Sequence, residues 1–547
     1  MQFWVWVWIH LLFLIESALV VLAFGSAWRF QTATRFFGQL ARSRTAPLTA
    51  GCAAILLRLA FLPIEPVPLP GVHDEFSYLL AADTFAHGRL ANPAHPLWQH
   101  FETMQIEQQP TYSSMYPPLQ GLVLAAGLVA TGMAFAGVCL SLGLMCGAVC
   151  WGLRGWFSPG WAFLGAMLAA IRLCTFSYWA DSYWGGAVAA AGGALLFGAV
   201  PRLIRRCRAR DAALAAAGIA ILANTRPFEG LAFTVAAGLI LLARVRRLKL
   251  RAMLPAFLAV LLPVAGWMAY YNWRVFGSPT TLPYTIDRNT YSMARLFLFQ
   301  PPLPEPHYRH QSLQDYYAGW ELAYFRHART LAGYLELSLS KLGSFWQFYI
   351  GPALTLPLLA MLGTWRRHRT RVLLLVAAVM AAAMSVVPWF MPHYAAPLMV
   401  VILAAVIQGL KKLSEWRPNL ACAIPAVCVV MLGIRIAMAL APIPFVLNYP
   451  MTWATTWSPN LERHAVEQRL HAMGGRHLVI VHYQPGHDPF KEYVFNAADI
   501  DGSEIVWAQD MGAQGNTELL RYFHARRAWL LEPDRNPPEF TPYPAGQ

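Results

Sequence analysis

A polytopic α-helical membrane protein with about twelve crossings, carrying a small α/β domain near its C-terminal end, is the fold class that the sequence predicts. Three observations predict it. The composition is 57% hydrophobic and only 13% charged, with a mean hydropathy of +0.41; such a chain has lipid as its main solvent. The apolar residues fall in runs of span length. The basic residues fall in short bursts between those runs. The net charge of +14 would by itself suit nucleic acid, but basic connectors between apolar runs are what the positive-inside rule expects, so no nucleic-acid partner is read.

The first run, Phe3 to Trp28, is too long for a signal-peptide core and has no basic residue before it, so it is read as a retained helix with an outside N-terminus. With the basic stretch "RFQTATRFFGQLARSR" it makes residues 1–46 an extra N-terminal helix and inner loop. The remaining candidate spans are 47–63, 133–153, 160–179, 183–200, 212–226, 229–243, 253–271, 345–363, 372–390, 395–410 and 420–441, which form a membrane body over 47–441. Stretch 118–153 is long enough to cross twice, but that would put "RLIRRCRAR" and every later basic burst outside. One crossing is expected, with 118–131 as a juxtamembrane or shallow re-entrant helix.

On this parity three long segments face outward: 65–117, 272–344 and 442–547. Within the second, "LQDYYAGWELAYFRHARTLAGYLELSL" is amphipathic and is expected to lie along the outer surface before the chain re-enters at about Phe345. The third changes character after Pro444. There "RHLVIVHY", "EYVFNAAD", "SEIVWAQD" and "AWLLEPD" read as strands and "NTELLRYFHARR" as a helix, giving 442–547 as a small outer domain. The eight cysteines lie in apolar runs or inner loops without a pairing pattern and are read as packing residues. A Walker A sequence is absent, and the glycines of "YWGGAVAAAGGALLFG" suit close helix packing better than a dinucleotide.

Chemistry is expected on the outer side, beginning with "GVHDEFSYLLAADTFAHGRL". Asp74 and Glu75 stand there at the end of an apolar run, where a carboxylate faces water, a cation or a substrate. A carboxylate so placed can act as a general base on an acceptor hydroxyl. It can equally cap a helix, and Asp74 is read as the N-cap of "EFSYLLAADTFAHG", with Glu75 in the first turn. His73, His95 and His100 have no metal-ligand spacing and are read as loop histidines.

The Asp-Glu pair, the aromatic that follows it in "SYLLAADTFAHGRLANPAHP", and "YSSMYPPLQGLVLA" at the start of the next helix together resemble the GT-C superfamily of polyprenyl-phosphate-sugar glycosyltransferases. Within it, the protein O-mannosyltransferases and lipid A aminoarabinose transferases are the relevant members, and the likeness covers roughly residues 47–410. The resemblance implies Asp74 as catalytic base or acceptor-orienting group, with Glu75 as its partner. It implies Asp181, in "FSYWADSYWGG", as an acceptor or metal ligand. A single acid stands where relatives carry a pair, so a divalent cation stays open and no other cofactor is implied.

The implied donor is a sugar on a polyprenyl phosphate, whose anionic head needs cations and hydrogen-bond donors. Arg226 in "ANTRPFEG", His393 and Tyr394 in "VPWFMPHYAAPL", and Tyr116 in the Tyr-Pro-Pro motif are the residues implied for it. Tyr116 stands where relatives carry lysine, replacing a charge by a hydroxyl. The partners implied are this donor, membrane lipid and a lipid, glycan or protein acceptor. The implied location is the cytoplasmic (inner) membrane, with the active site and C-terminal domain toward the periplasm. A secondary transporter and a non-catalytic assembly factor are the alternative classes.

Overall fold

The computed structural model describes residues 2–25, 31–441 and 451–544; the change of character after Pro444 lies outside them. The chain forms two compact units. The first comprises 1–68, 135–266 and 336–458, and the second 69–134, 267–335 and 459–547. The second unit is thus built from nearly the same three segments that the basic bursts set apart from the apolar runs.

Along the chain the predicted apolar runs become helices: Gln2–Ala23, Ala46–Ala60, Ala134–Leu153, Pro159–Leu173, Ala187–Arg206, Ala209–Ala223, Pro227–Leu242, Leu250–Phe276, His368–Ser385, Met399–Trp416 and Pro418–Leu440. Among the described residues seven helices are long and apolar enough to cross a membrane, or up to eight with one bent pair. The expected count of about twelve requires the shorter apolar helices to cross as well.

The bent pair corrects the reading of 345–363 as one span. Leu331–Tyr349 and Gly351–Leu362 meet at 102°, and the first helix begins well before Phe345. Gly351 has φ +59, a conformation that favours glycine, and Pro352 follows it at the start of the second helix. A Cβ at position 351 would also lie 2.7 Å from Arg172 Nη2. Arg172 Nη1 donates to Glu16 Oε1 at 3.1 Å, a buried ion pair joining the first helix to Pro159–Leu173.

Small residues set the helix spacing, as the glycine-rich run suggested. A Cβ on Gly193 would stand 2.3 Å from the Pro397 carbonyl oxygen, and one on Gly198 2.5 Å from Gly152 Cα. All eight cysteines are free; Cys146 and Cys174 approach to 3.7 Å between sulfurs, too far for a bond.

In the second unit, helices His73–Ala86 and Pro118–Thr131 pack so closely that a Cβ on Gly121 would fall 2.6 Å from Ala81 Cβ. Gly132, at φ +77, ends the second of these, so 118–153 is two helices that belong to different units. Strands β1 (Asn92–Pro93), β2 (Ile106–Glu107) and β3 (Thr111–Ser114) make a small antiparallel sheet in the order β1-β3-β2. Strands β4 (His477–Val481), β5 (Ile505–Gln509), β6 (Arg527–Glu532) and β7 (Glu539–Pro542) form a second sheet in the order β5-β4-β6-β7. Strand β4 runs parallel to both of its neighbours, and β7 is antiparallel to β6. Helices Leu461–Met473 and Gly512–Tyr522 complete its α/β character. One hydrophobic core joins Phe76, Leu80, Phe101 and Ile106 to Leu478, Ile480, Val506 and Ala508.

The stretch "EYVFNAAD" is not a strand. Side chains take the backbone groups a ladder would use: Arg463 donates to the carbonyls of Tyr493 and Phe495 at 3.0 Å each, and Glu492 accepts from the amides of Tyr493 and Val494. Asn496 in turn makes two bonds to the Trp507 backbone. The partners are satisfied without sheet pairing.

Candidate functional site

The implied residues gather in separate places, Asp74, Glu75 and Tyr116 in the second unit and Asp181, Arg226, His393 and Tyr394 in the first.

Helix His73–Ala86 begins from Val72, which is extended and holds the N-cap position. The expectation that Asp74 caps this helix is therefore corrected: Asp74 is the second helical residue, and its side chain is committed elsewhere. Glu75 does help the helix start. Its Oε2 accepts the Gly71 amide at 2.8 Å, one turn back, in the manner of the acid of a capping box. Both carboxylates lie in the first turn, where the helix dipole favours negative charge.

Asp74 is held from two sides. Its Oδ1 makes a short hydrogen bond with the Tyr116 hydroxyl, and its Oδ2 lies 3.0 Å from His73 Nδ1, in ion-pair contact without hydrogen-bond geometry. The Tyr116 hydroxyl also makes a short contact with the Gln105 side-chain amide. A hydroxyl has one proton to give. With Asp74 ionised that proton belongs to Asp74, and the amide orientation that completes the chain turns Gln105 Nε2 toward Tyr116. Gln105 then donates to Tyr116, which donates to Asp74.

Sequence reasoning missed Gln105 and Ser77, and it used Tyr78, the aromatic after the acid pair, only as part of the motif. Tyr78 stacks on Tyr116 at 4.4 Å between centroids, and Ser77 Oγ donates to the Gln105 carbonyl at 2.7 Å. Asp74, Ser77 and Tyr78 stand at i, i+3 and i+4 of one helix, a spacing that places them on a common face and could have revealed the grouping. Gln105 has no such signal. Its backbone lies at φ +62, which few residues other than glycine adopt, and strain of this kind collects at functional sites.

Behind these groups, burial raises the Glu107 carboxyl well above its ordinary range, and Asp287 adds to that. Burial likewise pushes Asp287 up to about 6, against the pull of Arg288. Tyr317 donates to Asp287 Oδ1 at 3.1 Å, and Arg288 pairs with Glu321 at 2.8 Å.

In the first unit, Asp181 is buried and paired. Its Oδ1 accepts from Arg58 Nη2 at 2.6 Å, and the same guanidinium donates to the carbonyls of Ala180, Glu65 and Pro66. Arg435 reaches Glu65 at 3.3 Å beside it. Among the described residues no group of three or more His, Cys, Asp or Glu side chains could hold a metal ion. Asp181 has one oxygen bound to a guanidinium, and its Oδ2 is buried without a hydrogen-bond partner.

Arg226, His393 and Tyr394 do come together. The Arg226 guanidinium sits 4.5 Å over the Tyr394 ring, and that ring is 4.9 Å from His393. The buried Tyr178 hydroxyl accepts the His393 backbone N–H at 2.9 Å and lies 2.9 Å from Nδ1. Donating its own proton to Nδ1 leaves His393 protonated at Nε2, a neutral hydrogen-bond donor beside a guanidinium. Such a pair suits an oxyanion.

No protein-family model matches the chain, and no curated protein is significantly similar in sequence. Solved structures are similar in fold. ArnT from Cupriavidus metallidurans in the apo state matches with a TM-score of 0.51 at 12% identity, over 88% of this chain and 92% of that one. The chain shares the fold of that protein. ArnT bound to undecaprenyl phosphate matches with a TM-score of 0.49 at 12% identity, over 90% and 93% of the two chains. The Archaeoglobus fulgidus oligosaccharyltransferase in its apo form matches with a TM-score of 0.43 at 12% identity, over 80% of this chain and 62% of that one.

Proposed function

We propose that the chain is an integral membrane glycosyltransferase that moves a sugar from a polyprenyl-phosphate donor to a lipid, glycan or protein acceptor, on the periplasmic face of the inner membrane. The observation that carries the reading is Asp74, fixed at a helix N-terminus by Tyr116 on one oxygen and facing His73 with the other. A half-buried carboxylate held in this way is a positioned base, with Glu75 as its helix-anchoring partner. The fold shared with ArnT supports the reading, and ArnT has been solved with undecaprenyl phosphate.

In this reaction an acceptor hydroxyl or amine attacks the anomeric carbon while the bond from that carbon to the phosphate oxygen breaks. The acceptor proton passes to Asp74, and the polyprenyl phosphate leaves with its electron pair. One displacement inverts the anomeric centre. Phosphate already carries negative charge well, so the chain's tasks are orientation and charge stabilisation; Arg226 and His393 Nε2–H are the groups suited to a phosphate oxyanion.

The test is transfer from radiolabelled polyprenyl-phosphate sugars to endogenous membrane acceptors, comparing wild type with Asp74→Asn in equally folded preparations. Label transferred by wild type and lost in the variant supports the reading. Absence of transfer across donors, or undiminished transfer by the variant, overturns it.

A further inference from the structure

The helical stretch Gln311–Ala328 in the second unit contains a π-helical segment, Asp315–Glu321, between two α-helical ends. Such widened turns are rare and are frequent at functional sites. The stretch carries aromatics four residues apart, Tyr316 and Trp320 in the π-helical segment and Tyr324 in the α-helical end after it. Tyr316 stacks on Trp320 at 5.4 Å and 26°, and Trp320 on Tyr324 at 6.0 Å and 29°. Phe490 meets Trp320 edge to face at 5.1 Å and Tyr316 at 5.9 Å. The inner end of this ladder touches the candidate base: the Tyr316 ring is 5.3 Å from His73, whose Nδ1 faces Asp74.

Tyr316 is 6% exposed, Trp320 is 40% exposed, and Tyr324 beyond it is half-buried. Trp320 thus carries the row of ring contacts from His73 to the surface.

The chemistry of the occupant follows from these groups. A pyranose presents C–H bonds on one face, which the negative face of an indole attracts, and hydroxyls around its edge, which a carboxylate accepts. An anionic group is disfavoured, because the three carboxylates acting on Tyr316, those of Asp74, Asp287 and Glu321, outnumber the one guanidinium, Arg288, which is itself paired with Glu321. An aliphatic chain would leave the neighbouring carboxylates unused. We propose that Trp320, with Tyr316 and Phe490, forms a platform that seats a sugar ring of the acceptor beside Asp74.

This inference rests on the glycosyltransferase reading for its acceptor but not for its ligand class. The test uses the full chain in lipid nanodiscs, titrated calorimetrically with maltotriose, mannotriose and chitotriose, together with acceptor titration in the transfer assay. At least one trisaccharide binds the wild type. Trp320→Ala weakens that binding tenfold or more, and Trp320→Phe by less than threefold. In transfer, Trp320→Ala raises the half-saturating amount of acceptor and leaves the maximal rate within twofold.

Failure of all three trisaccharides to bind overturns the platform, as does equal binding by Trp320→Ala. If Asp74→Asn abolishes transfer while Trp320→Ala leaves acceptor saturation unchanged, the platform falls and the catalytic reading stands. If a trisaccharide binds through Trp320 while no donor supports transfer, the catalytic reading falls and the platform stands.

Discussion

Asp181 is the implied residue whose surroundings most constrain its role, and Asp181→Ala is the perturbation that tests them. Its partner Arg58 is wholly buried, with Nη2 2.6 Å from Asp181 Oδ1 and side-chain exposures of 0% and 5%. Removing one member of a buried pair strands the other charge, at a cost of about 3–5 kcal/mol, whereas replacing both by apolar groups of similar volume is often close to neutral. The carbonyls of Ala180, Glu65 and Pro66 still accept from Arg58, which places the expected loss near the lower end, about 3 kcal/mol, or roughly a hundredfold in the unfolding equilibrium. The assay is equilibrium unfolding in dodecylmaltoside–SDS mixed micelles for Asp181→Ala, Arg58→Met and the pair Arg58→Met with Asp181→Leu. The double variant should recover most of what Asp181→Ala loses. Unchanged stability in Asp181→Ala, accompanied by loss of transfer, would refute the clamp and return Asp181 to the reacting groups.

Tyr116→Phe removes the hydroxyl bonded to Asp74 while keeping the stack on Tyr78; a hydrogen bond to a charged group is worth about 1.5–3 kcal/mol, so stability should fall by about that much and transfer, which depends on the placing of Asp74, roughly 10- to 100-fold, as melting and rate measurements would show. Gln105→Gly should be at least as stable as wild type because it relieves the left-handed backbone, yet transfer more slowly, whereas Gln105→Val should lose about 1–2 kcal/mol in the same unfolding assay. Asp287, raised by burial from 3.8 to about 6, binds its proton more tightly folded than unfolded; its contribution to stability is full below pH 3.8 and declines as pH rises through about 6. Unfolding midpoints measured from pH 4 to pH 7 should fall in wild type and fall less in Asp287→Asn, with Arg288, Glu321, Glu107, His73 and Tyr317 as the neighbouring groups that tune the window.

Much of this architecture was legible because lipid enforces a simple grammar of apolar runs and basic connectors. The helices fall where the runs do, and the segments left between them assemble into the second unit. Strands β4, β5 and β6 were readable from their continuous apolar character. What could not be read was decided by long-range partners. The backbone of "EYVFNAAD" is bonded by the side chain of Arg463, and its own Asn496 reaches the Trp507 backbone, so partners outside the stretch decide that it avoids a ladder. The bend at Gly351 did have a local sign, the Gly-Pro pair, but an apolar run reads as one span when hydropathy alone is weighed. Similarly, Asp74 and Tyr116 were found by motif, whereas Gln105 reaches them through a backbone conformation that no residue type encodes.

The adjacent acids can now be separated by geometry. Consecutive helical residues project about 100° apart, so Asp74 and Glu75 cannot both face one reacting centre. Glu75 is 1% exposed and accepts a backbone amide that the helix start would otherwise leave unpaired, while the Asp74 side chain is 14% exposed and bound by a phenol. Asp74, as the second helical residue, holds no capping position. The anchoring of the first turn by one carboxylate sets the position of the other, and under the proposed reaction the anchoring and base roles fall to different acids. Glu75→Gln, which can still accept the Gly71 amide, should preserve the helix and most of the transfer; Glu75→Ala, which cannot, should disturb both, and measuring transfer alongside unfolding in the two variants distinguishes anchoring from participation in the chemistry.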